Sequence, residues 1–367
     1  MTTRLLQIVP TLEYAGPQKQ MMLVSARLPR ADFEVKVFSL NGTGPMANTL
    51  ERQSISVIPA KGRHQSWGHT FQQLSQSIRD WSPEIVHTWT ASANLMGRAA
   101  AVHRGVQQIV ATQPTRSHNP STTDLISDRL LARWTSSYVV RNDQGKLAYQ
   151  SRGVSASKIH VIPNGVEQAS SQPLSRADCL ERLKLPTNAR MIGTVGPLNA
   201  EKRIKDLIWA ADLLKVVRDD TYLLVIGRGP HEERLHLFRD QVRIRDRVRF
   251  LGTRDDLPQL LPHLDCFWLA NRYESLTNSL LEAMSAGIPV VATNIAGNRQ
   301  VITSGETGFL VKIGDRAGFA RKTQKLLEDP NLAERCGKAA QKRVQQEFSA
   351  ESVAKQYLQI YLRQQQS

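Results

Sequence analysis

The sequence predicts two doubly wound α/β domains, each built on a parallel sheet, facing one another across a cleft. Three observations lead there. At 367 residues the chain is longer than one core ordinarily serves. Short β-rich runs alternate with helix-periodic stretches along nearly all of it, the signature of strands joined by crossover helices. The alternation lapses once, over 166–188, and then restarts in the same form.

In the first half the expected strands are 5–9, 35–39, 56–58, 85–87, 108–111, 138–140 and 159–163. Helical spacing fills the gaps at 18–28, 71–79, 92–103 and 124–133. Asn164-Gly165 closes the last strand with strong turn chemistry. After the aperiodic stretch, strands are expected at 191–195, 222–226, 248–251, 267–270 and 289–292. A helix is expected over 204–217, where Ile204, Leu207, Ile208, Ala211 and Leu214 keep helical spacing. The expected organisation is an N-terminal domain over 1–170, a linker over 171–188 and a second domain over 189–348. A C-terminal helix over 349–367 is expected to pack back on the first domain. Ligands of such sheets bind beyond the carboxyl ends of the strands.

Composition narrows the function. The chain is 41% apolar and 22% charged, as a globular protein is. No apolar run approaches the about 18 residues of a membrane span, and 5–10 is too short for a signal segment. A cytoplasmic location is expected, at the inner face of the membrane if the partner is lipid-linked. Cys179, Cys266 and Cys336 lie far apart, which argues against a disulfide framework or a structural zinc. The 48 Lys and Arg against 33 Asp and Glu leave a formal charge of +15, favouring anionic partners, an anionic membrane surface among them. Nucleic acid finds no support, because no long basic block or aromatic-interleaved stripe occurs. The basic stretch 239–249 reads as solvated surface leading into a strand.

The richest segment runs from 267 to 311. It reads as strand, loop 271–277, helix 278–286, Gly287 as the stop, then a strand. Asn278 is a good N-cap type, and Gly287 suits a left-handed C′ position. The loop delivers Glu274 beside a helix N-terminus, whose dipole attracts a diphosphate. Glu282 follows one turn into the helix. A carboxylate at the helix start can accept hydrogen bonds from sugar hydroxyls, and a deeper one can take the vicinal diol of a ribose. Two glutamates at this spacing also decorate ordinary surface helices, so the pair alone is weak. Gly227 and Gly229 lack the third glycine of a dinucleotide loop and read as a strand-end turn. His231 and His236 stand five apart and share no helix face for zinc. No Asp-x-Asp occurs, so neither a metal nor a cofactor is expected.

The string YESLTNSLLEAMSAGIPVVATNIAGNRQVI, with GETGFLV after it, resembles the E-x7-E segment of the GT-B retaining glycosyltransferases of family 4. IVPTLEYAGPQKQ, HTWTASANLMGRAAAV, VIPNGVE, GPLNAEKRIKDLIWAADLL and VIGRGP extend the resemblance over nearly the whole chain. It implies a GT-B fold and retaining transfer of a sugar from a UDP- or GDP-sugar to a glycan or lipid-linked acceptor. By the resemblance, Lys202 and Glu274 carry the chemistry, at the diphosphate and the donor sugar. Glu282 holds the ribose, Leu276, Thr277 and Asn278 turn backbone N–H groups to the phosphates, and Gly16 lets backbone approach them. Three positions depart from the family pattern. Pro17 replaces a glycine, Pro197 an arginine and Gln113 a histidine. Arg116 or His118 could enter the cleft in place of that histidine. His87, at a strand end, reads equally as a cleft residue or as a hydrogen-bonded structural one. The departures keep two alternatives in view: a non-catalytic GT-B protein that binds nucleotide or glycan, and a GT-B epimerase or phosphorylase.

Overall fold

The computed structural model describes residues 2–62, 66–113, 122–168, 174–273 and 276–363, without the side chains of 122–124 and 127. They form two compact units, Met1–Gly165 with Ala350–Ser367, and Val166–Ser349. The first unit runs β1 (Thr3–Val9), α1 (Gly16–Arg27), β2 (Phe33–Ser39), α2 (Met46–Arg52), β3 (Ser56–Pro59), α3 (Trp67–Trp81) and β4 (Ile85–Thr88). It continues through α4 (Ala91–His103), β5 (Gln108–Thr112), α5 (Thr122–Leu131), β6 (Ser137–Val140), α6 (Asp143–Gln150) and β7 (Ile159–Val161). The second runs α7 (Arg176–Arg182), β8 (Arg190–Val195), α8 (Ile204–Val217), β9 (Thr221–Ile226), α9 (Glu232–Gln241), β10 (Val248–Gly252) and α10 (Leu257–Leu260). β11 (Cys266–Leu269), α11 (Asn278–Ser285), β12 (Val290–Thr293), α12 (Ala296–Arg299), β13 (Phe309–Val311), α13 (Arg316–Glu328) and α14 (Pro330–Glu347) complete it. The chain then returns to the first unit as α15 (Ala350–Leu362).

Both sheets are parallel, in the orders β3-β2-β1-β4-β5-β6-β7 and β10-β9-β8-β11-β12-β13. Strands covered on both faces need near-continuous apolar sequence, and β1 shows why. Leu5 and Val9 enter the core beneath α1 and α15, while Leu6 and Ile8 enter the opposite core with α3 and α4. The second sheet is sandwiched likewise, by α11 and α14 on one face and α8 and α13 on the other. Each strand order reverses once, between β1 and β4 and between β8 and β11, and such reversals open the crevices that take ligands in this architecture.

The structure differs from the sequence expectations in three places. The stretch 171–188 holds α7. Ser175 accepts a hydrogen bond from the amide of Asp178, Arg176 pairs with Asp265, and Cys179 and Leu180 enter the core. Seven residues are too few to show a period. β13, a three-residue strand at the edge of the second sheet, is not among the strands expected from the sequence. Asn278 is the first helical residue of α11 and not its cap; Thr277 is the extended residue before it. Gly287 does take the left-handed conformation, with φ +74°.

His87 lies in the centre of the first unit and is fully buried. Its Nδ1 meets Tyr361 Oη of α15 at 2.7 Å and its Nε2 meets Thr112 Oγ1 at 2.8 Å. Burial lowers its pKa to about 3. The folded state therefore holds a neutral ring where the unfolded chain binds a proton near pH 6.5. The unfolded state gains protons as pH falls from 6.5 toward 3, so this residue destabilises the fold across that window and is silent above it. Between pH 7 and pH 5 the expected loss is about 2 kcal/mol. Chemical denaturation of His87→Gln should show a correspondingly shallower decline, and an unchanged slope would refute the assignment.

Candidate functional site

The carboxyl ends of β8 and β11 flank the reversal in the second sheet, and the loops that leave them are bound to each other. After β8, Gly196 takes φ +152°, a conformation that suits glycine, and its amide donates to Ile226 O. Gly227 and Gly229 follow β9 so tightly that a Cβ on either would strike the backbone of Gly196 or Leu198. The two glycines therefore serve close packing of two strand-end turns. Asn199 Oδ1 then accepts from the amide of Lys202, closing a single turn of 3-10 helix. Lys202 is 6% exposed. Its stem lies along Gly196, where a Cβ would come within 3.4 Å of Lys202 Cε.

Arg203 leaves that turn with φ +50°, a left-handed conformation rare for a side-chain-bearing residue. Asp206 holds it there, accepting from Arg203 Nε at 2.6 Å on one oxygen and from Arg316 Nε at 2.9 Å on the other. The carboxylate thus ties the start of α8 to α13 directly behind Lys202.

The loop after β11 reaches the same place. Arg272 donates its amide to Glu201 O at 3.0 Å, and Tyr273 Oη donates to Glu201 Oε1 at 3.3 Å. From below, Thr293 Oγ1 donates to Asn271 O, Asn271 Nδ2 donates to Thr277 Oγ1, and Asn298 Nδ2 donates to Thr293 O. Ser279 Oγ donates to Val195 O at 2.9 Å, pinning the first turn of α11 against the end of β8. Glu282, half-buried, stands one turn further along that helix. Leu276 and Thr277 are buried, and Asn278 is half-buried.

Lys202, Leu276, Thr277, Asn278 and Glu282 are therefore gathered at one reversal of one sheet. Glu274, Arg116 and His118 lie outside the described residues. Gly16 is in the first unit, as the first residue of α1, with Pro17 in that helix's first turn. A first-turn amide has no intrahelical acceptor, so proline there leaves the helix undisturbed. Gln113 is 5% exposed at the end of β5, its carboxamide packed over Gly145 in the first turn of α6. His87 takes the structural of its two readings, because α15 covers it and both ring nitrogens are engaged. Asp206, Arg316, Ser279 and the asparagines beneath the loop escaped the sequence reading. Only Asp206 left a local signal there, three residues after Arg203 at the head of a helix.

Two parallel-sheet α/β units of this order, with loops converging at a reversal, define the GT-B architecture. The family model described as Glycosyl transferases group 1 matches residues 176–343, and that described as Glycosyltransferase Family 4 matches residues 14–169. The chain belongs to these family 4 glycosyltransferases. It is 36% identical over 161 residues to the N-acetyl-alpha-D-glucosaminyl L-malate synthase of Bacillus anthracis, covering 44% of this chain and 42% of that protein. It is 24% identical over 347 residues to the UDP-Gal:alpha-D-GlcNAc-diphosphoundecaprenol alpha-1,3-galactosyltransferase of Escherichia coli, covering 89% and 88%. In fold it is similar to Alr3699/HepE of Anabaena, solved in complex with UDP-glucose, with a TM-score of 0.87 and 21% identity over 99% of this chain and 100% of that one.

Proposed function

We propose that this protein transfers a sugar from a nucleoside-diphosphate sugar to a glycan or lipid-linked acceptor, with retention at the anomeric carbon. The observation that carries the reading is Lys202, a buried cation fixed at the reversal between β8 and β11 beside the start of α11. As the bond from the sugar's anomeric carbon to the diphosphate breaks, its electron pair passes to the leaving phosphate oxygen. Lys202 and the helix dipole stabilise that charge where it develops. The acceptor oxygen forms the new bond on the face the diphosphate leaves, and its proton passes to a diphosphate oxygen. The second unit takes the donor and the first the acceptor. The UDP-glucose of the Anabaena protein and the UDP-galactose of the Escherichia coli enzyme favour uridine as the nucleotide. Glu274 receives the donor sugar.

Incubating the purified chain with a panel of UDP- and GDP-sugars tests the reading, with the anomeric configuration of any product read by NMR. Inversion would sink retention. Binding of one donor without any consumption would leave a nucleotide-binding protein in place of an enzyme.

Two expected results follow from the roles. Glu282→Ala removes the acceptor of two ribose hydroxyls. It should weaken binding of the free nucleoside diphosphate by about 1.5–3 kcal/mol, measured by calorimetry; equal affinity would contradict the ribose assignment. Because no Asp-x-Asp is available to carry a divalent cation on the diphosphate, EDTA should leave the transfer rate unchanged. Loss of activity restored by magnesium or manganese would overturn metal independence.

A further inference from the structure

Helix α5 presents a surface that the donor site does not use. Its inward residue is Asp128, whose carboxylate accepts from Arg98 Nη2 at 2.7 Å and from Arg152 Nη1 at 3.2 Å. That anchoring decides which residues look outward. Ile126, Leu130 and Trp134 stand four apart in sequence, one stripe down the helix and the turn that closes it, and are 58%, 65% and 42% exposed. Leu125, Arg129 and Arg133 form the neighbouring stripe, all exposed. The Arg133 guanidinium lies 3.7 Å over the Trp134 ring. Lys158 adds a further cation at the end of the helix, donating Nζ to the carbonyls of Ala132, Arg133 and Thr135. Beside Trp134 the surface opens into a cavity of about 450 Å³, walled by Val102, Val106 and Ile109 and by the cations Arg133 and Lys158.

Large apolar side chains in a row on a surface mark a contact waiting for its partner, and the charge beside the row selects the partner. The described side chains of the two outward stripes include no acid. Exposed apolar residues at the end of α8 (Leu213, Val216 and Val217) are instead interspersed with Asp212 and Asp219 and carry no such bias. An apolar stripe with guanidinium groups along one side complements an anionic bilayer. Leucine and isoleucine enter the boundary between headgroups and acyl chains, tryptophan settles at that boundary, and the arginines meet phosphates. Among the described residues no helix is long and apolar enough to cross a membrane, so the contact is peripheral.

We propose that the outer face of α5 docks on an anionic lipid surface, through Ile126, Leu130 and Trp134 with Arg129 and Arg133. Sedimentation of the full chain with vesicles tests this. Vesicles of phosphatidylglycerol and phosphatidylcholine should carry the protein into the pellet, phosphatidylcholine alone should not, and salt should weaken the binding. Combined Leu130→Asp and Trp134→Asp should lower partitioning by at least about tenfold. Combined Arg129→Gln and Arg133→Gln should lower it by about 30-fold. Val216→Asp, on α8, should bind as the wild type does. All these residues are exposed, so melting temperature and donor consumption in solution should stay at wild-type values. That separates failure of this surface from failure of the transfer reading. Equal recovery of the wild type in both supernatants would overturn the proposal, as would α5 variants that pellet like wild type. A dimer dispersed by Leu130→Asp would overturn it too, making the face a contact between copies of this chain.

Discussion

Lys202→Ala is expected to lower donor turnover by about 10²–10³-fold, the usual cost of removing one well-placed donor to charge that develops in a transition state. The expectation rests on how the residue is held. A lysine 6% exposed has little water around it, so its charge acts on a nearby phosphate through a weakly screening medium. Its backbone is fixed by Asn199 on one side and by the Arg203–Asp206–Arg316 group on the other. Little reorganisation is needed as the leaving group gathers charge. Lys202→Met keeps most of the stem and should lose as much as alanine does, whereas Lys202→Arg should restore part of the rate. Affinity for the uncharged nucleoside should be the same in all three, because the role proposed for the lysine is at phosphate and not at base or ribose. Turnover of Lys202→Ala within threefold of wild type would remove Lys202 from the chemistry. A parallel loss of nucleoside binding would mean that the substitution had disturbed the pocket as a whole.

What could be read beforehand, and what could not, divides along physical lines. Twelve of the strands were legible because a parallel strand covered on both faces must be apolar throughout, and runs such as Leu5–Val9 leave little choice. The places of Lys202 and Glu282 in the fold were legible because local order preserves them: a glycine-bearing turn before a helix, and a helix bounded by Gly287. Contacts that close over long separations were not. His87 reads equally as a cleft residue or a structural one in sequence and is a core residue in space, and the decision is made by Tyr361, 274 positions away. Asp206 looks like an ordinary first-turn acid until Arg316, 110 positions on, supplies its second partner. The cap of α11 was misplaced by one residue because Thr277 and Asn278 are both good cap types, and the extended backbone at Thr277 decides between them. The outward face of α5 was hidden for a related reason. Leucines at 125 and 130 belong to any amphipathic helix, and only the burial of Asp128 shows that the apolar stripe faces out.

That buried aspartate carries the largest stability effect expected here. Arg98 has no exposed side-chain surface, and Asp128 has 8%. The fold engages all three nitrogens of the guanidinium: Nε donates to Asn94 O, Nη1 to Tyr138 Oη at 3.0 Å and Thr135 Oγ1 at 3.4 Å, and Nη2 to Asp128. Of these acceptors only Asp128 carries a full negative charge. Asp128→Ala would leave a charged guanidinium in the interior without compensation, a change that typically costs about 3–5 kcal/mol. Denaturant unfolding followed at the transition of the first unit should show that loss. The double replacement Arg98→Met with Asp128→Leu should recover most of it, because removing both charges also removes their desolvation penalty. Hydrogen exchange gives an independent readout. Releasing Asp128 frees the inner face of α5 from α4 and from the turn after α6, so amides of α5 should exchange faster in Asp128→Ala than those of β1 and β4, which the ion pair does not touch. A cost below about 1 kcal/mol for Asp128→Ala, in the range of exposed pairs, would show that water reaches Arg98 and that α5 is held by its apolar contacts alone.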